Sequence, residues 1–183
     1  FYIVSLNMLA GPWIITGIFI YQSFISDAKL WSSFAIPKAF MFYSVTSIFS
    51  LILSGFLVDK YTSRKLMPLI NIPLLLSMIS LVIFKHELSA FIFLGLIGIT
   101  NGLANVLGSS TWAEIYGVKY IGSIKALTTA LMVFSTAFGT ALFGILIDQG
   151  FLIENIALIS GSYIVISLAL LLAFRKKLEP VRV

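Results

Sequence analysis

Nucleophilic and metal-assisted chemistry find almost no raw material in this sequence. It has no Cys and one His, His86, set between Lys85 and Glu87. The serine pattern G-x-S-x-G and the zinc pattern H-E-x-x-H are both missing, so serine and metal hydrolysis lack their reacting groups. We expect no catalytic residues, no metal and no cofactor: the protein is not read as an enzyme. Hydrogen-bonding and charge chemistry remain. The densest internal run of charge follows Gly55 and reads Asp59-Lys60-Tyr61-Thr62-Ser63-Arg64-Lys65. A Gly near a helix end permits close approach of another helix. An acid there can accept hydrogen bonds from the positive end of a neighbouring helix. The basic residues can pair with acids or lipid phosphates. An ordinary tight loop whose charges only set orientation would look the same.

Polar side chains inside apolar segments form the second group. Between Gly95 and Trp112, a rotation of 100° per residue gathers Gly95, Gly98, Asn101, Gly102, Asn105, Gly108, Ser109 and Trp112 within an arc of about 140°. Leu96, Ile99, Leu103, Val106 and Leu107 occupy the opposite face. Asn101, Asn105 and Ser109 are candidates for a solute path, since amides in lipid need partners. Gly98-x-x-x-Gly102 equally suits close helix packing. A later segment repeats the pattern: Thr128, Met132, Ser135, Thr136 and Gly139 share a face with Lys125 and Phe143. Ser135 is the candidate there, although Ser and Thr can satisfy their hydroxyls on their own backbone. Tyr21 and Gln22 close the first apolar run and could contact a solute or anchor at the interface. Lys38 lies within a turn of a segment end, where its stem can snorkel to water, and is read as structural.

The elements that carry these residues must be membrane spans. Hydrophobic residues make up 60% of the 183 and charged residues 10%, against about 25% charged in soluble domains. Mean hydropathy is +1.08. Six apolar runs emerge: Phe1 to Ser26, Trp31 to Val58, Leu66 to Phe84, Leu88 to Ala113, Ile124 to Ile147 and Ile156 to Phe174. Each is long enough to cross a bilayer as a helix of about 20 residues. The lipid bilayer is thus the first partner. The net charge of +5 is read as setting topology, with no nucleic acid involved. Nine of the twelve basic residues fall on one side, in the links near Lys60, Arg64 and Lys65, near Lys119 and Lys125, and after Phe174. The positive-inside rule makes that side cytoplasmic and places both ends of the chain there. Opening on Phe1-Tyr2-Ile3 without a basic leader, the chain is expected to be part of something longer.

Gly55-x-x-x-Asp59-Lys60-x-x-x-Arg64-Lys65 resembles motif A of the major facilitator superfamily, with Thr62 and Ser63 where the second glycine of that motif would fall. The resemblance implies an all-α membrane protein whose six transmembrane helices are one half of a twelve-helix bundle. Trp112-Ala113-Glu114-Ile115-Tyr116-Gly117, Gly122 and the helix ending Gly144-Ile145-Leu146-Ile147-Asp148 are similar to C-terminal halves, as is Arg175-Lys176-Lys177 before Pro180. Residues 1–183 would then form one domain, helices seven to twelve. Thr140 stands where several bacterial monocarboxylate-transporter-like relatives carry Pro.

The resemblance further implies rocker-switch transport of a small solute, such as a small organic anion, across a bacterial inner membrane. Asp59 would help latch the cytoplasmic side, its closest partner lying in the missing N-terminal half. No acid lies deep inside a span, so a carboxylate carrying a coupling proton would also belong to that half. A non-transporting sensor or assembly subunit that keeps the fold is the alternative.

Overall fold

The computed structural model describes residues 1–174. The basic tail after Phe174, including Arg175, Lys176, Lys177, Pro180 and Arg182, lies outside the described residues. Within them the chain is all-helical, with no strand. The helices are α1 (Tyr2–Ile20), α2 (Gln22–Ala28), α3 (Ala35–Lys60), α4 (Ser63–Leu66), α5 (Asn71–Ile83), α6 (Ser89–Tyr116), α7 (Ile121–Asp148) and α8 (Ile153–Ala173). A 3₁₀ turn, Met67–Ile70, joins α4 to α5 and carries Pro68, whose ring removes a donor from the helical ladder. Six segments are long and apolar enough to cross a membrane: α1, α3, the bent unit Ser63–Ile83, α6, α7 and α8. Each of the six runs expected from the sequence overlaps one of them; α1 lies wholly inside its run, and the other five spans extend two or three residues past an expected boundary. The first run is broken at Tyr21, so its C-terminal end forms the separate helix α2.

Helices far apart in sequence make the main contacts. α3 packs along α6 and α1 along α7, while α5 fits between α6 and α8 and α1 also touches α8. Small residues set the α3–α6 spacing. A Cβ on Gly102 would lie 2.5 Å from the Ser47 carbonyl oxygen, and one on Gly98 would strike the Tyr43 carbonyl. Hydroxyls then bridge the close backbones: Thr46 Oγ1 donates to the Gly95 carbonyl (3.0 Å) and Ser50 Oγ to that of Ile99 (2.9 Å). The packing role open to Gly98-x-x-x-Gly102 is therefore the one these glycines fill. The α1–α7 pair works alike, with Gly139 against the Trp13 backbone and Ser135 Oγ donating to the Leu9 carbonyl (3.2 Å).

The ends of the bundle are tied differently. At one end, the loop after α3 docks on the last turns of α6 through Ser63 and Glu114. At the other, three links meet. Lys29 pairs with Glu154 at 2.6 Å, Ser32 donates to Glu87 at 2.7 Å, and the Trp31 indole donates to the Lys85 carbonyl at 2.9 Å. These are the alternate groupings that the charge distribution predicted. Burial is uneven between spans. In their most apolar stretches 11% of α3 and 17% of α7 is buried, against 39% or more in the others.

Candidate functional site

Two sites can be built from these elements, a docked charged loop and a cavity beside it. Glu114 organises the loop. It stands in the last turn of α6, and its carboxylate accepts from the backbone N–H of Ser63 (2.6 Å) and of Arg64 (3.2 Å). Those are the first donors of α4, which helix geometry leaves without intrahelical partners. A carboxylate there satisfies them and complements the positive helix end. Arg64 Nε lies 3.6 Å from the same carboxylate, and Ser63 Oγ donates to Ser110 Oγ at 2.6 Å. Ser63, in the stretch where a glycine was expected, is thus fully buried and bonded through both its N–H and its hydroxyl.

The other loop candidates point elsewhere. Asp59, Lys60 and Lys65 are exposed. Lys60 sits over the Tyr61 ring at 5.6 Å. Asp59 makes no hydrogen bond or ion pair with the described residues. A Cβ on Gly55 would meet nothing within 4 Å, so no contact within the described chain requires a glycine there. Glu114 itself was read from sequence only as part of a helix end. Its role depends on a contact about 50 residues away, and no local pattern announces it.

The cavity lies between α6 and α7 with α1 as its floor, near the same end of the bundle. It measures about 250 Å³ and is lined by Asn105, Gly108, Ser109 and Trp112 from α6, by Lys125, Thr128, Thr129 and Met132 from α7, and by Met8 from α1. Lys125 is the one charged residue in the lining; no acid faces it. Its ammonium has no ion pair among the described residues. Asn105 Nδ2 donates to the Asn101 carbonyl (2.8 Å), Ser109 Oγ to that of Val106 (3.3 Å) and Thr128 Oγ1 to that of Ile124 (2.9 Å). These bonds to their own helices satisfy the groups in lipid yet leave oxygen lone pairs facing the space. A separate void of about 10 Å³, which shares Met8, Trp112, Thr128 and Met132 with the cavity, reaches Ser5, a buried hydroxyl with no partner among the described residues.

Of the solute-path candidates, the structure brings Asn105 and Ser109 together in this cavity. Asn101 instead donates to Ser47 Oγ on α3 at 3.2 Å. Ser135 is buried between α7 and α1. Tyr21 stands over Phe143 near the opposite end, its hydroxyl donating to the Thr140 carbonyl at 3.3 Å. Gln22 lines a separate cleft of about 220 Å³ with Ser23, Ser26, Asp27 and Ser33. Lys38 is exposed.

No family model matches the chain, and no solved structure does. Among curated proteins, a phosphoglycerate transporter protein of Salmonella typhimurium is 29% identical over 130 residues, covering 69% of this chain. The chain spans 28% of the length of that relative. Six apolar spans, a docked charged loop and a cationic cavity thus lie in a chain similar to one stretch of a transporter.

Proposed function

We propose that the chain is the C-terminal six-helix half of a major-facilitator-type secondary transporter, and that the full protein moves a small organic anion by alternating access. The observation that carries the anion reading is the α6–α7 cavity, where one unpaired ammonium, Lys125, stands among Asn105, Ser109 and Thr129 with no acid in the lining. Lys125 is exposed, so water solvates its ammonium in the empty cavity, and an anionic solute entering there would gain a charge-assisted contact. The phosphoglycerate named for the Salmonella relative is such an anion. Lys125 would hold its charged end as a compact point charge, with the amide and hydroxyls orienting the rest.

The reading of half a bundle is supported by the two least buried spans, α3 and α7. A second six-helix unit against them would cover the open side of the cavity. It would also supply the partner of Asp59 and the close neighbour that Gly55 has room for. In this scheme the loop after α3 latches one side while the halves rock about the cavity. The Glu114 cap holds the loop in register with α6, so motion of α6 carries the latch with it. A coupling proton would reside on a carboxylate of the other half.

Uptake of labelled 3-phosphoglycerate and lactate into proteoliposomes holding the full-length protein tests this. Lys125→Gln is expected to raise the KM for the transported anion on the order of 10- to 100-fold, the equivalent of one hydrogen bond to a charged group. Asp59→Asn is expected to slow turnover with membrane insertion intact. Unchanged kinetics in Lys125→Gln would remove the lysine from the solute path. Absence of uptake of any small anion would favour a sensor or assembly subunit.

A further inference from the structure

α5 and α8, which do not line the cavity, leave a groove of about 520 Å³ between them. Its α5 wall runs from Leu75 to Ile83 and its α8 wall from Ala157 to Ile166. At 1.5 Å per residue each wall is about 12–14 Å long, close to the depth of a single leaflet in a hydrocarbon core of about 30 Å. The one polar side chain in the lining, Ser162, donates its hydroxyl to the Leu158 carbonyl of its own helix at 2.8 Å. The groove therefore offers almost nothing to a polar solute and fits an extended apolar chain.

Its mouth lies at the bundle end opposite the Asp59–Lys65 loop, and it is charged. Lys85 follows Ile83, the last residue of the α5 wall, by two positions, and Glu154 lies one turn beyond Leu158 on the facing helix. Glu154 is already paired with the buried Lys29 at 2.6 Å. Lys85 makes no ion pair among the described residues, and it is exposed beside the exposed His86. The mouth thus carries one cation outside the Lys29–Glu154 pair, Lys85, above a slot one leaflet deep, while the nearby acid Glu87 accepts from Ser32. We propose that the α5–α8 groove is a binding site for an anionic phospholipid, with one acyl chain between the helices and the phosphate at Lys85. Gly161 lies in the slot with no side chain, and a Cβ there would make ordinary contacts with Leu75 and Met78 at 3.7 and 3.9 Å.

Native mass spectrometry of the full-length protein in micelles doped with phosphatidylglycerol or phosphatidylcholine tests the site. The unmodified protein is expected to retain the anionic lipid on the order of fivefold better, the effect of one Lys on an anionic headgroup. Lys85→Gln should bring the two lipids to parity. Ser162→Phe, a change at an exposed position, should reduce retention of both while the protein still elutes as a monodisperse species. Equal retention of the two lipids by the unmodified protein would overturn the proposal. So would unchanged retention in both variants, or a Ser162→Phe protein that loses an oligomeric state instead of lipid. The assay needs no transport, so its outcome is independent of the proposed anion function.

Discussion

Two carboxylates decide much at the scale of single residues, and they are placed for opposite tasks. Glu114 satisfies two backbone donors of α4 at 2.6 and 3.2 Å, while its ion pair with Arg64 is longer, at 3.6 Å, and partly exposed on both sides. Exposed pairs contribute about 0–1 kcal/mol and helix caps about 0.5–2 kcal/mol, so the cap is the larger part. Glu114→Ala is therefore expected to cost about 1–2 kcal/mol locally. Trypsin should cut faster at Lys60, Arg64 and Lys65, and Glu114→Gln, which keeps an acceptor, should be cut at an intermediate rate. Glu154 balances Lys29, whose side chain is 1% exposed against 30% for the acid. Removing the acid strands a buried ammonium, whereas removing the lysine leaves a carboxylate that water can reach. Glu154→Gln should thus lower thermal stability by about 3 kcal/mol and Lys29→Met by distinctly less. Equal melting shifts would show that desolvation does not set the cost. Neither pairing was legible beforehand, because the partners lie about 50 and 125 positions apart in sequence and no periodicity connects them.

At the scale of elements, glycine position separates contacts made inside this chain from space left open. Gly98 and Gly102 hold α6 against α3, where any side chain meets backbone. Gly98→Leu is expected to cost at least the 1–3 kcal/mol typical of overpacking, read as a fall in the melting temperature of the solubilised protein. Gly55 and Gly108 have no neighbour within 4 Å of an added Cβ, so Gly55→Ala should not lower that melting temperature. It should raise it slightly, since Gly inside a helix costs about 0.5–1 kcal/mol relative to Ala. If Gly55→Ala slows solute uptake all the same, the close approach it prevents is made by a helix beyond this chain. A lower melting temperature in Gly55→Ala would instead place its role inside the described fold. The helical wheel of α6 gathered seven small or polar residues and Trp112 on one arc. The structure divides that arc between α3 packing, through Gly95, Gly98, Asn101 and Gly102, and the cavity, through Asn105, Gly108, Ser109 and Trp112. Periodicity gives a residue's direction from its own axis; it does not say which neighbour stands there.

For the molecule as a whole, uneven burial carries the main consequence. If α3 and α7 form the seam with a second half, a benzophenone at the exposed cavity-edge position Thr129 should cross-link in the full-length protein to segments outside residues 1–183. One at Ile166, in the α5–α8 groove, should cross-link to lipid. Cross-links from Thr129 confined to lipid would remove α7 from the seam. The amino-acid sequence by itself determined the solvent, the number of spans and the grouping of the links at two opposite ends. Each of these follows from local quantities: 20-residue apolar lengths set by bilayer thickness, and scarce charges confined to helix ends because burying them in hydrocarbon is costly. Only the tertiary structure decided that α3 lies on α6 and α1 on α7, that Glu114 rather than a glycine turn fixes the charged loop, and that Lys125 shares a cavity with Asn105 and Ser109. In a bilayer the lipid-facing side of a span is as apolar as its packed side, so the sequence lacks the polar outer face that tells a soluble helix where its neighbours are. Partner choice rests instead on the close fit of small residues and a few hydroxyl bridges, which appear only when two particular helices meet.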